Sequence, residues 1–126
     1  MPTINSRNFG TATGRLTKDP VTFNNSDGSK KAIVTLALRD NFKGSDGNVG
    51  SQFVDFTGFV AKDTTSSVYD MIHEGDLVSV TFELRNDNWT DKSGQQHFDL
   101  VLRVTGVDML EPKSVTEARL KSRAKA

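Results

Sequence analysis

Cysteine is absent from this 126-residue chain, and histidine occurs only at His73 and His97. The first absence removes disulfides, thiolate metal sites and cysteine nucleophiles together, and it fits a reducing compartment. The second leaves no His pair at i, i+4 and no ligand spacing, so a metal site, a bound cofactor and His-based catalysis are not expected. No apolar run approaches a membrane span, and Met1-Pro2-Thr3-Ile4-Asn5-Ser6-Arg7 lacks the hydrophobic stretch of a secretion signal. A cytoplasmic protein with no membrane partner is the expectation. Net charge is lacking too, since 16 basic residues balance 16 acidic ones. One sign dominates only at the end, where Lys113, Arg119, Lys121, Arg123 and Lys125 face Glu117 alone. Residues 1–112 are therefore slightly acidic, so phosphates would have to be held by local patches and not by bulk charge.

What is present is ordinary for one soluble domain: 35% hydrophobic and 25% charged residues. The division expected is a folded domain over residues 1–112 and a basic tail over 113–126, flexible or briefly helical, because a short isolated helix is marginal in water.

The most informative stretch is Asp76 to Val107, two alternating strands joined by Lys92-Ser93-Gly94. Val78, Val80, Phe82 and Leu84 recur with the two-residue period of a strand and point to the core. Trp89, the only tryptophan, has the opposite parity and lines up with Ser79, Thr81, Glu83, Arg85 and Asp87 on the solvent face. The strand read at Phe53 to Val60 repeats the anomaly. Val54, Phe56 and Val60 form its inner face, while Phe53 and Phe59 share the outer one with Asp55 and Thr57. Phe42 has the parity of Val34, Leu36 and Leu38, so periodicity makes it core-facing or beyond the strand end.

Turn residues organise the rest. The first strand, about Asn8 to Thr17, stops before Asp19-Pro20. Asn24-Asn25-Ser26-Asp27-Gly28 forms a turn before a second strand at about Lys30 to Phe42. A loop with three glycines, Lys43 to Gly50, leads to the third strand at about Gln52 to Ala61. Asp63 then offers an N-cap for a short helix with Val68, Met71 and Ile72 as its apolar stripe, and Gly75 stops it. The last strand turns Phe98, Leu100, Leu102 and Val104 inward. Three strands, a helix and two strands predict an all-β fold: a five-stranded OB-fold Greek-key barrel with one short helix between strands 3 and 4.

These residues resemble the bacterial-type single-stranded DNA-binding proteins. Gly14-Arg15-Leu16-Thr17-Lys18-Asp19-Pro20 is similar to the family's G-x-L-x-x-D-P, and Trp89-Thr90-Asp91-Lys92-Ser93-Gly94-Gln95 to its W-x-D-x-x-G-Q hairpin tip. Phe53 to Lys62 resembles its third strand, and Glu74-Gly75-Asp76 precedes the fourth. The resemblance covers roughly Asn5 to Leu110. It implies a non-catalytic, sequence-tolerant binder of single-stranded DNA acting in replication, recombination, repair or mobile-element transfer, with bases stacked on Phe42, Phe53, Phe59 and Trp89. Candidate phosphate partners are Arg7, Arg15, Lys43, Lys62, Arg85 and Lys92, with Arg85 best placed because it shares the face of Trp89. It also implies a homo-oligomer, tetramer first and dimer second.

Three departures modify that expectation. Asp87 and Asn88 stand where the family is often basic, which weakens phosphate attraction along the arm. Phe9-Gly10-Thr11-Ala12-Thr13-Gly14 is small and polar in a strand that joins subunits in the family. The family's linker and acidic C-terminal tip, which recruit replication and repair enzymes, have no counterpart in the basic residues Ser114 to Ala126. Tip-mediated recruitment is therefore not expected, and a specialised member, such as one carried by a plasmid, phage or conjugative element, or a protein that only protects strands, is. The basic tail offers an extra contact for phosphates or an acidic partner instead. Two other classes remain open. The barrel could be a protein-interaction or accessory replication module whose ring-bearing face is a subunit or partner interface. A nuclease would need clustered carboxylates, whereas Asp55 and Asp99 are single outward carboxylates on different strands.

Overall fold

Alternating apolar and polar residues build the strands β1 (Gly10–Leu16), β2 (Val21–Asn24), β3 (Lys30–Lys43), β4 (Val49–Val60), β5 (Leu77–Thr90) and β6 (Gln96–Met109), followed by helix α1 (Lys113–Lys125). The computed structural model describes residues 5–125, with side chains through Arg123; the expectations resting on Met1 to Ile4 and on Ala126 lie outside them. Five strands close on themselves. β1 pairs antiparallel with β5, β5 with β6 and β4 with β3, while β6 meets β4 in parallel at Arg103 and Thr57. The ring closes where Arg15 and Leu16 of β1 face Ala37 and Leu36 of β3. A Cβ on Gly14 would run into the Ala37 carbonyl, so the crossing of β1 from β5 to β3 requires glycine. The strand order is that of the expected OB barrel, with β2 added on the outer edge of β3.

Leu16, Val34, Leu36, Phe56, Ile72, Val78 and Val80 fill the barrel, and the Phe56 and Phe82 rings meet at 5.3 Å. Each such side chain contributes about 1.5–3 kcal/mol on burial, and a one-residue slip would turn the whole set to water. The inner faces of β3, β4 and β5 are thus pinned, and with them the outer faces that carry the site.

The helix expected between the third and fourth barrel strands is absent from this position. Asp63 takes a left-handed φ of 67° and cannot serve as N-cap; Ser67 does, and only one 3-10 turn follows, Val68–Asp70. The run Asp63-Thr64-Thr65-Ser66-Ser67 competes for backbone hydrogen bonds, and too few residues remain before Gly75 for an α-helix. Ile72 is buried, but Met71 of the expected stripe is exposed. The helix lies at the C-terminus instead, over residues expected to be a flexible or briefly helical tail. Arg119 donates to Asp76 at 2.7 Å and to Glu111 at 2.9 Å, and Arg123 donates to Asp19 at 2.8 Å.

The β5–β6 hairpin also differs from expectation. Thr105 is an extra residue on β6, opposite the step from Thr81 to Phe82, so β5 keeps its parity throughout. Leu102 and Val104 are half-buried as expected, whereas Phe98 and Leu100 are exposed. Their parity is inward, but here the hairpin has left the barrel and pairs only with itself, so no core lies beneath them.

Candidate nucleic-acid interface

Residues opposite one another in a ladder share a face, so register assigns the outward surface. Phe23 of β2 faces Lys31 of β3, and Lys31 faces Phe59 of β4. One step along, Thr57 faces Arg103 of β6, Arg103 faces Glu83 of β5, and Arg85 faces Val101. The Arg103 guanidinium lies 5.1 Å from the centre of the Phe59 ring, within cation–π range. Lys31, Thr57, Phe59, Arg85, Val101 and Arg103 line an open cleft of about 240 Å³. A ring and three cations thus converge on this surface, with Asp87 as the one carboxylate lining the cleft.

Trp89 stands four residues beyond Arg85 on the same face of β5 and is 47% exposed. Its indole stacks on His97, directly opposite on β6, with centroids 4.2 Å apart and planes 14° from parallel. The indole Nε1–H donates to Asp99 at 2.9 Å. His97 Nε2 meets Asp91 at 2.8 Å. Asp91 also caps the hairpin turn by accepting from the Ser93 hydroxyl at 2.6 Å and from the Ser93 and Gln95 amides. The Ser93 hydroxyl first, and His97 next, hold the Asp91 pKa down at about 2. The Asp91-Lys92-Ser93-Gly94-Gln95 motif is therefore the scaffold of the tip, with Gly94 supplying the left-handed turn position.

Phe53 lies on the outward row of β4 and is 70% exposed, six residues from Phe59, about 20 Å at strand rise. Phe42 is 62% exposed and lies within β3, inside the register irregularity between Arg39 and Lys43; it is neither core-facing nor beyond the strand end, because the broken register there no longer holds it to the inward parity of Val34, Leu36 and Leu38. Lys43 is exposed next to it. Lys62 follows β4 with its stem over Gly28, and Lys92 sits in the β5–β6 turn. Arg7 is exposed ahead of β1. Arg15 is not at the cleft: its Nη1 donates to the Gly75 carbonyl at 2.9 Å and to Glu111 at 3.3 Å. Of the sequence candidates, the cleft unites Phe59 and Arg85.

Lys31, Arg103 and Phe23 join this face without having been singled out. Arg103 was readable, since its parity opposes Leu102 and Val104. Phe23 was hidden because Val21–Asn24 is too short for its periodicity to mark a strand. Of the outward carboxylates, Asp55 accepts from the Thr35 hydroxyl at 2.5 Å and Asp99 from the Trp89 indole. Among the described residues no three acidic or His side chains are grouped to hold a metal ion, and no helix is long and apolar enough to cross a membrane.

A closed five-stranded barrel of this order, bearing exposed rings and cations on one face, is an OB-type barrel. Residues 8–110 match the Single-strand binding protein family, and the chain belongs to it. It is 32% identical over 101 residues to the single-stranded DNA-binding protein of Caldanaerobacter subterraneus subsp. tengcongensis, covering 80% of this chain and 66% of that one. Single-stranded DNA-binding protein 2 of Staphylococcus aureus is 31% identical, covering 80% and 70%. Single-stranded DNA-binding protein A of Bacillus subtilis is 29% identical, covering 80% and 58%. The matched region thus spans roughly two-thirds of the length of these relatives.

Proposed function

We propose that this chain binds single-stranded DNA without sequence preference, by stacking unpaired bases on its exposed rings while cations on the same face hold phosphates. The observation that carries the reading is the outward surface running from Trp89 past Arg85 and Arg103 to Phe59. Unpaired bases expose flat π faces that any aromatic ring can meet, whereas duplex bases are already stacked on each other. Lys31 and Phe23 continue the path across β3 and β2, and Phe53, Phe42 and Lys43 offer a second branch along the β3–β4 hairpin. The relatives' names support the same ligand. A chain with no net charge and few groove cations relies on stacking more than on counterion release.

Self-association belongs to this proposal, as a tetramer first and a dimer second. β1 pairs with β3 only at Arg15 and Leu16, which leaves most of that edge open for another strand. Leu84, Phe98 and Leu100 form a bare apolar row on the arm face opposite Trp89, where a second subunit or partner would be seated. The role fits protection of strands during replication, recombination or repair.

The test is a titration of labelled single-stranded DNA, single-stranded RNA and duplex DNA at two salt concentrations, with sedimentation measured alongside. Tight binding of single strands and weak binding of duplex is expected, by a species larger than a monomer. Equal affinity for duplex, or no binding of single strands, contradicts the proposal.

A further inference from the structure

We infer that His97 is a positioning residue, which together with Asp91 and Asp99 holds the Trp89 indole in one orientation so that one π face is offered to a base. The inference rests on the single-strand reading and specifies how its hairpin-tip ring is presented. An exposed tryptophan on a free hairpin arm would sample several rotamers, and a base would have to order it at the moment of binding. Here three constraints converge. His97 stacks against one face of the indole with centroids 4.2 Å apart, and Asp99 accepts from its edge at 2.9 Å. His97 is in turn fixed through Nε2 by Asp91 at 2.8 Å, and Asp91 is locked into the turn by Ser93 and Gln95. Order is passed from the turn to the imidazole and from the imidazole to the indole.

One face of Trp89 is occupied by His97, and no other ring is stacked on the indole among the described residues. A base arriving there completes a three-layer stack of base, indole and imidazole. Asp87, Asp91 and Asp99 surround the site, with Asp87 directly opposite Asp99. Against these three carboxylates the tip sets Lys92 in the turn, so phosphate attraction there is weak and the contact is a stacking one.

The experiment compares the full chain with His97→Ala and His97→Phe, reading acrylamide quenching of Trp89 in the free protein and affinity for oligothymidylate. His97→Ala is expected to raise the quenching constant and weaken oligothymidylate binding about fivefold, as loss of an aromatic pair does. His97→Phe, which keeps a flat ring against the indole but cannot reach Asp91, is expected to restore both in part, with melting temperatures unchanged throughout. Unchanged quenching and affinity in His97→Ala, or no rescue by His97→Phe, overturns the inference. Should the wild-type chain not bind oligothymidylate at all, the single-strand reading fails, and the quenching comparison still decides whether His97 holds the indole.

Discussion

Arg119 of α1 donates to the buried carboxylate of Asp76 at 2.7 Å, joining residues 43 apart in the chain. The same guanidinium is forked onto Glu111, whose carboxylate also accepts from the Leu77 amide at the start of β5. The C-terminal helix is thereby fastened to the barrel, and its arginines are neutralised by contacts within the chain. Replacing Arg119 with Met would leave Asp76 buried with only the His73 amide as partner. A lower melting temperature is expected for Arg119→Met, and none of that loss for Lys121→Met, whose side chain projects into solvent. Thermal unfolding by circular dichroism checks both; equal melting temperatures would show that α1 contributes nothing to the barrel.

Acid should release this fastening. The Arg119 hydrogen bonds, with the Leu77 amide next, hold the Glu111 pKa at about 2 instead of 4.5, and the Arg123 hydrogen bonds, with the Glu74 amide next, hold Asp19 at about 2 instead of 3.8. Both carboxylates bind protons more readily in the unfolded chain, so their contribution is complete above about pH 4.5 and disappears as pH falls towards about 2. Melting temperature measured across that window should drop, and the drop should be shallower in an Arg119→Met, Arg123→Met double variant. A slope identical to that of the wild type would contradict the assignment.

The two faces of the barrel should respond oppositely to aromatic truncation. Phe56→Ala removes a buried ring and should cost about 3–5 kcal/mol in chemical denaturation. Trp89→Ala should leave the fold intact and weaken single-strand affinity by the equivalent of one base stack, about 1–3 kcal/mol as found by alanine substitution on OB-fold single-strand binders. A destabilised Trp89→Ala with normal binding would reverse the roles of the faces.

Arg103 and Phe23 should separate charge from stacking along the proposed path. Arg103→Ala is expected to reduce the slope of log affinity against log salt by about 0.7, the value for one phosphate contact on a single strand. Phe23→Ala should weaken binding without changing that slope. Titrations at three salt concentrations distinguish the two, and an unaltered slope in Arg103→Ala would remove it from the phosphate path.

Periodicity exposed most of this architecture because long strands around one core repeat their burial every second residue. Val78, Val80 and Phe56 declared the inner face, and Trp89 and Phe59 declared themselves by breaking it. The rest depended on contacts that periodicity does not encode. Arg119, Glu111 and Asp76 make the C-terminal segment a docked helix through ion pairs between distant residues, while its apolar pattern is too weak to signal docking. The polar run before Val68 held the expected helix to a single turn. Phe98 and Leu100 have core parity but lie where the hairpin has run past the core. Arg15 was a candidate phosphate partner yet serves the junction with Glu111.

The most direct test of the central claim is the fluorescence of Trp89, the sole indole, as oligothymidylate is added at moderate salt. Stacking of a base on its open face should quench the emission in proportion to binding, while an equal concentration of duplex leaves it nearly unchanged. Saturated binding with no change in Trp89 emission would contradict the account, because the strand would then lie somewhere other than on this face.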